Sequence, residues 1–124
     1  MPDQNTFDFA KLDQLNAPTH SFAAGERIFL ENQTGATMFM VRSGRVDVIT
    51  YGTVLENIRA GGVFGEMSLI DDGPRSAAAI AAEPTDVVVI DKPTFLELIR
   101  SDPEFALYIM RLLTTRIRRM NQQI

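Results

Sequence analysis

The feature that most constrains this chain is a change of hydrophobic period at Asp91. Before it, from Ser21 onward, short runs rich in β-branched and aromatic residues alternate with glycine turns. After it, apolar residues recur about every 3.6 positions, the helical period. The runs at 27–30, 37–42, 45–50 and 54–58 read as strands, punctuated by Gly25, Gly35, Gly44 and Gly52. Ser43-Gly44 suits a tight hairpin, and Val46 and Val48 alternate with polar partners after it. A further pair, 76–82 and 86–90, is separated by Glu83-Pro84-Thr85. Several short strands at regular spacing predict a β-barrel or jelly roll.

Helices flank this β region. Phe7, Phe9, Leu12 and Leu15 predict a short N-terminal helix stopped near Pro18. Asp91 is placed to cap a helix over 92–100, with Phe95, Leu96 and Ile99 as its apolar face. Asp102-Pro103 then supplies an N-cap followed by proline at the first helical position. That last helix is expected to run to about Gln122, with Phe105, Tyr108, Ile109, Leu112, Ile117 and Met120 in one stripe widened by Leu113. Such a stripe belongs to a core or a dimer interface rather than to catalysis. The expected fold is mainly β with flanking helices, in one domain over 1–124: a helical segment at 1–20, a barrel at 21–91 and C-terminal helices at 92–124.

A chain of 124 residues can bury a core without staples. There is no cysteine, which excludes disulfides, thiolate metal sites and thiol catalysis. No apolar run approaches a membrane span, and the N-terminus lacks the pattern of a secretory signal. A cytoplasmic location is expected. The net charge of −4 argues against general nucleic-acid binding. Arg111, Arg116, Arg118 and Arg119 follow Glu104 with no acidic residue among them. They read as cations favoured at the C-terminal end of a helix. His20 is the only histidine, so a metal centre is not expected, and no serine has a histidine at a catalytic spacing. No enzyme activity is expected.

The densest chemistry lies at 64–77, FGEMSLIDDGPRSA. Gly65 lets the backbone approach an anion, and a helical turn beginning at Glu66 would direct the N–H groups of Met67 and Ser68 at one point. Arg75 returns opposite them with a planar, charged fork, and Ser76 adds a hydroxyl. Asp71 and Asp72 in the intervening loop should face solvent. A carboxylate such as Glu66 repels phosphate but suits a sugar hydroxyl, so the set matches a small phosphorylated ribose. Ala77, Ala78 and Ala79 leave room for a nucleoside inside the barrel. Taken singly, each residue has a plainer reading: Gly65 as a turn, Glu66 and Arg75 as a surface ion pair, Ser76 as an ordinary strand residue. The order of the whole set argues for binding.

The chain resembles the cyclic nucleotide-binding domain family of bacterial catabolite activator proteins, kinase regulatory subunits and cyclic-nucleotide-gated channels. The segment 64–77 is similar to that family's phosphate-binding cassette. The run AGERIFLENQTGATMFMVRSGRVDV upstream is similar to its turn-and-strand pattern. Asn32 stands where the family usually has glycine, and asparagine tolerates the same left-handed backbone.

By position, the resemblance implies that Glu66 accepts the ribose 2′-hydroxyl with backbone help from Gly65. It implies that Arg75 pairs with the exocyclic phosphate oxygens, with the Ser68 N–H and Ser76 adding contacts. It also implies that the final helix covers the base around 116–121, through Met120 and Asn121. The full expected ligand set is Gly65, Glu66, Met67, Ser68, Arg75, Ser76, Ala77, Met120 and Asn121. Serine rather than threonine at position 76 favours cAMP, with cGMP as the alternative.

No helix-turn-helix segment, membrane span or kinase catalytic domain accompanies these residues. The expectation is a stand-alone sensor without a cofactor. It would signal through its C-terminal helices, with Leu69 as a hydrophobic link to them, to a protein effector or a homodimer, and not to nucleic acid or a membrane. The alternative is a protein-interaction module of the same fold that uses no nucleotide.

Overall fold

The computed structural model describes residues 9–122, with the side chains of Phe9, Met120 and Gln122 excepted. A short helix α1 (Phe9–Gln14) leads into eight strands: β1 (Thr19–Phe22), β2 (Arg27–Phe29), β3 (Thr37–Ser43), β4 (Arg45–Thr50), β5 (Thr53–Arg59), β6 (Val63–Phe64), β7 (Ala78–Ala81) and β8 (Thr85–Asp91). Helix α2 (Glu66–Asp71) interrupts them between β6 and β7, and α3 (Lys92–Ser101) and α4 (Pro103–Gln122) close the chain. The strands form two antiparallel sheets, ordered β1-β8-β3-β6 and β2-β7-β4-β5. This is the jelly roll that the strand spacing predicts. The two sheets are joined by packing across their shared interior and not by a continuous hydrogen-bonded ring.

Period-two alternation sorts the core into two layers. On β3, Met38 and Met40 face the helices, whereas Phe39 and Val41 face the interior between the sheets. On β6, Val63 joins the helical layer and Phe64 the interior. The same division holds on β8, with Val88 and Ile90 on one side and Val87 on the other. The helical layer also holds Leu12, Leu69, Phe95, Leu98, Phe105, Tyr108, Ile109 and Leu112. Leu69 of α2 therefore shares a core with α3 and α4, where the sequence places its hydrophobic link. Strand β3 is sandwiched between the two layers, which is why it reads as a near-continuous apolar run.

Helix α3 starts where Asp91 turns out of β8: its side chain accepts a 2.9 Å hydrogen bond from the Thr94 N–H, as the capping signature predicts. These bonds hold the Asp91 carboxyl below its ordinary value. The cap's contribution is present above the unfolded-state pKa and is lost as pH falls through the lower folded-state value. Asp91→Ala is expected to cost about 1 kcal/mol at neutral pH. Asp91→Asn should retain most of the cap without its acid dependence, and denaturant melts at neutral and acidic pH check both.

Several boundaries and faces differ from expectation. The β region begins at Thr19, so His20 lies exposed within β1 rather than before the first strand. Strand β6 is an additional two-residue strand. Strand β7 starts at Ala78 rather than at 76, because the chain at 74–75 pairs instead with the turn at 32–34. The buried face of α3 is Phe95 with Leu98, while Leu96 and Ile99 are exposed. On α4 the buried stripe ends at Leu112, with Leu113 packed beside it; Ile117 is 58% exposed because α4 has by then passed the edge of the core. The position of Phe7 lies outside the described residues.

Candidate functional site

Arg75 is placed by its backbone before its side chain does anything. Asn32 adopts a left-handed conformation (φ 70°), and its N–H donates to the Arg75 carbonyl at 2.8 Å. The Arg75 N–H donates to the Gln33 carbonyl at 2.8 Å, and Thr34 bridges to Pro74. The turn at 32–34 thus clamps the cassette loop, with asparagine serving where the sequence suggested it could.

The Arg75 side chain runs inward and is only 4% exposed. Its guanidinium lies 4.3 Å from the Phe29 ring centroid and 5.7 Å from that of Phe39. Nη1 donates to the Gly65 carbonyl at 2.9 Å and Nη2 to Thr37 Oγ1 at 3.2 Å. Two glycines make room for it. A Cβ on Gly65 would lie 3.0 Å from Nη1, and a Cβ on Gly35 would lie under 3.0 Å from Nε, Cζ and Nη2. All these partners are neutral, and among the described residues Arg75 has no carboxylate partner. Burial pushes the guanidinium below its ordinary value. A desolvated cation with only dipoles and ring faces around it gains strongly from an anion.

Glu66 follows Gly65, whose left-handed φ of 79° turns the chain from β6 into α2. No side chain caps this helix start. Glu66 is 1% exposed, and it pairs not with Arg75 but with Arg116 of α4. The surface ion pair between Glu66 and Arg75 is therefore absent: both are buried, and each has other partners. Arg116 also donates through Nε to Glu56 at 3.0 Å and through Nη2 to the Val63 carbonyl at 3.0 Å. Arg119 approaches Glu56 at 3.6 Å. Two of the four late arginines thus reach across to the jelly roll, beyond the helix-end role expected of them. Beside them, a cleft of about 300 Å³ opens between β5, the turn at 60–62 and α4, lined in part by Asn57, Ala60, Leu112 and Thr115.

The remaining expected residues are distributed around this core. Ser68 and Ala77 are buried, and Met67 is half exposed. Ser76 is exposed, its Oγ 3.9 Å from Met67 Sδ. Asp71 and Asp72 face solvent, with Asp72 paired to Lys92 at 3.0 Å. Asn121 is exposed on the last turn of α4, and the side chain of Met120 lies outside the described residues. The sequence reading did not single out Phe29, Gly35 or Thr37 around Arg75, or Glu56 and Arg116 around Glu66.

Comparison with known proteins places this geometry. Residues 19–102 match the cyclic nucleotide-binding domain family. The chain is 32% identical over 108 residues to the cyclic AMP receptor protein of Thermus thermophilus, covering 83% of this chain and 50% of that protein. It is 31% identical over 97 residues to the cAMP-dependent protein kinase regulatory subunit of Eremothecium gossypii, covering 77% of this chain and 21% of that protein. The crystal structure of Thermus thermophilus catabolite activator protein superposes with a TM-score of 0.80 at 30% identity, over 92% of this chain and 57% of that one. The chain spans half or less of the length of these two curated relatives. With all eight strands, the cassette and α3 inside the matched residues, the chain belongs to the cyclic nucleotide-binding domain family.

Proposed function

We propose that this chain is a non-enzymatic regulatory module that binds a cyclic nucleotide, cAMP in preference to cGMP. The observation that carries the reading is the Arg75 guanidinium, buried without a carboxylate partner among the described residues in a cradle of two glycines and two aromatic rings. A singly charged cyclic phosphate supplies the missing charge. Glu66, one residue past Gly65, takes the ribose 2′-hydroxyl. Ser76 and the N–H groups of Met67 and Ser68 complete the phosphate contacts. Binding draws the cassette toward the phosphate and shifts α2, and Leu69 passes that shift to α3 and α4 through the shared core. The output is a changed docking of these helices, read by a partner protein or a second subunit. Ligand can drive it only through a difference in affinity for the two arrangements.

Arg75 and backbone amides bind phosphate without activating water, so the nucleotide should be recovered intact.

Titration with cAMP, cGMP and 5′-AMP, followed by thermal denaturation, tests the reading. At about 100 times its dissociation constant, cAMP is expected to add roughly 2.7 kcal/mol of stability. The response to cGMP should be weaker, and 5′-AMP should give little. Absence of a shift with either cyclic nucleotide at millimolar concentration, confirmed by calorimetry, would support the nucleotide-free interaction module instead.

A further inference from the structure

The methionines of the described chain differ sharply in access. Met38 and Met40 are fully buried in the core, so their sulfurs are shielded from solvent oxidants. Met110 is exposed on α4, and Met67 is 48% exposed as the second residue of α2. Of these, Met67 sits within the cassette itself. Ser76 Oγ donates toward its Sδ at 3.9 Å, and both residues are exposed, so the contact lies on the solvent side of the cassette. A thioether is a weak acceptor, whereas a phosphate oxygen is a strong one. Ser76 therefore gives up Met67 at little cost when a phosphate arrives.

We propose that Met67 is an oxidation site through which a peroxide lowers the affinity of the cassette for cyclic nucleotide. The inference rests on the reading of Ser76 and α2 as phosphate contacts. The Sδ lone pair attacks one peroxide oxygen, and the S–O bond forms as the O–O bond breaks. The departing hydroxide takes the proton of the transferred hydroxyl and leaves as water. Sulfur loses two electrons and the peroxide gains them. The product is a polar sulfoxide, which a methionine sulfoxide reductase can return to the thioether. Its oxygen is a much stronger acceptor than sulfur, so it retains the Ser76 hydroxyl that the phosphate needs. It also brings partial negative charge to the first turn of α2, where an anion is to bind. The fold is spared, because the buried residues of α2 are Glu66, Ser68 and Leu69, on the other side of the helix.

The test treats the full chain, Met67→Leu, Met110→Leu and Ser76→Ala with hydrogen peroxide. Mass spectrometry of peptides locates the added oxygen, and calorimetry compares cAMP binding by each protein before and after treatment. Each variant is judged against its own untreated form, so none has to match the parent. Met67 should oxidise along with Met110 and well ahead of Met38 and Met40. In the parent, oxidation should weaken cAMP binding roughly fivefold to tenfold, the scale of one hydrogen bond, with unchanged far-UV spectrum. Methionine sulfoxide reductase should restore the affinity. Met67→Leu keeps the side-chain volume without the exposed sulfur and should show no loss on treatment. Met110→Leu should show the full loss. Ser76→Ala should start weaker and lose little more.

If the untreated parent binds no cyclic nucleotide, the underlying reading fails and the inference falls with it. If the parent binds and Met67 oxidises without loss of affinity, the inference alone is overturned. A loss that persists in Met67→Leu, or a Met67 that resists peroxide while Met110 reacts, overturns it equally. An undiminished loss in Ser76→Ala overturns the route through the hydroxyl.

Discussion

Arg75→Leu is expected to weaken cyclic nucleotide binding by roughly 10²- to 10⁴-fold, the loss of two charge-assisted hydrogen bonds at about 1.5–3 kcal/mol each. The fold should survive. Leucine retains apolar contact with Phe29 and Phe39, the two rings that flank the guanidinium. The substitution also removes a buried cation that has no anionic partner among the described residues, a change that is often neutral or favourable. Against this, the Gly65 carbonyl and Thr37 Oγ1 lose their donors. The net effect on stability should stay within about 1 kcal/mol, the scale of one ordinary hydrogen bond.

Arg75→Lys separates charge from shape. A lysine restores the cation but not the planar fork that reaches Gly65, Thr37 and a phosphate together, so it should recover only a minor part of the lost affinity. Calorimetric titration with parallel thermal melts reads both quantities. Binding by Arg75→Leu within a few-fold of the parent would show that the phosphate sits elsewhere.

Much of this site was legible because its local chemistry is written in contiguous residues. Gly65 had to turn the chain, Glu66 had to begin a helix, and Asn32 had to accept a left-handed backbone; the structure has φ values of 79° and 70° at the two turn positions. The Asp91 cap and the start of α4 at Pro103 followed from equally local signals.

What escaped the sequence depends on partners far apart in the chain. Strand β6 is two residues long and carries no alternation to detect, and its pairing is fixed by Phe39 opposite Phe64. Three residues of β1 are exposed, so no apolar pattern marks that strand. Helical periodicity placed Ile117 in the stripe, but periodicity does not say where the core stops. Arg116 was visible as one of several late cations and as the start of the segment expected to cover the base, but not as a partner of Glu66. Its partners, Glu56 and Glu66, lie 60 and 50 positions earlier and meet it only through the docking of α4. The charge asymmetry after Glu104 was the available signal, and it gave the sign of the surface without naming the contact.

Gly35→Ala is expected to weaken cyclic nucleotide binding by roughly 10²-fold, comparable to losing most of the Arg75 contribution, although position 35 need not touch the ligand. In the sequence, Gly35 reads as turn punctuation. Its φ lies outside the left-handed region, so backbone freedom does not explain the glycine. Space does. A methyl group there would occupy the volume of the Arg75 guanidinium, under 3.0 Å from Nε, Cζ and Nη2. The obstructing atoms are the far end of a long side chain, so the strain is relieved by swinging Arg75 off the face of Phe29 rather than by moving the backbone. The jelly roll should therefore stay folded while the cation leaves its cradle.

Gly65→Ala is less selective, because it adds backbone strain at φ 79° to closer packing against Phe29 and Phe39. Gly35→Ala isolates the position of the charge from the integrity of the turn. Calorimetry should show the loss in affinity with an unchanged far-UV spectrum, and combining Gly35→Ala with Arg75→Leu should cost little beyond Arg75→Leu alone, because both remove the same interaction. Affinity within about twofold of the parent, or full additivity in the double variant, would show that the cradle observed around Arg75 is not the arrangement that binds the phosphate.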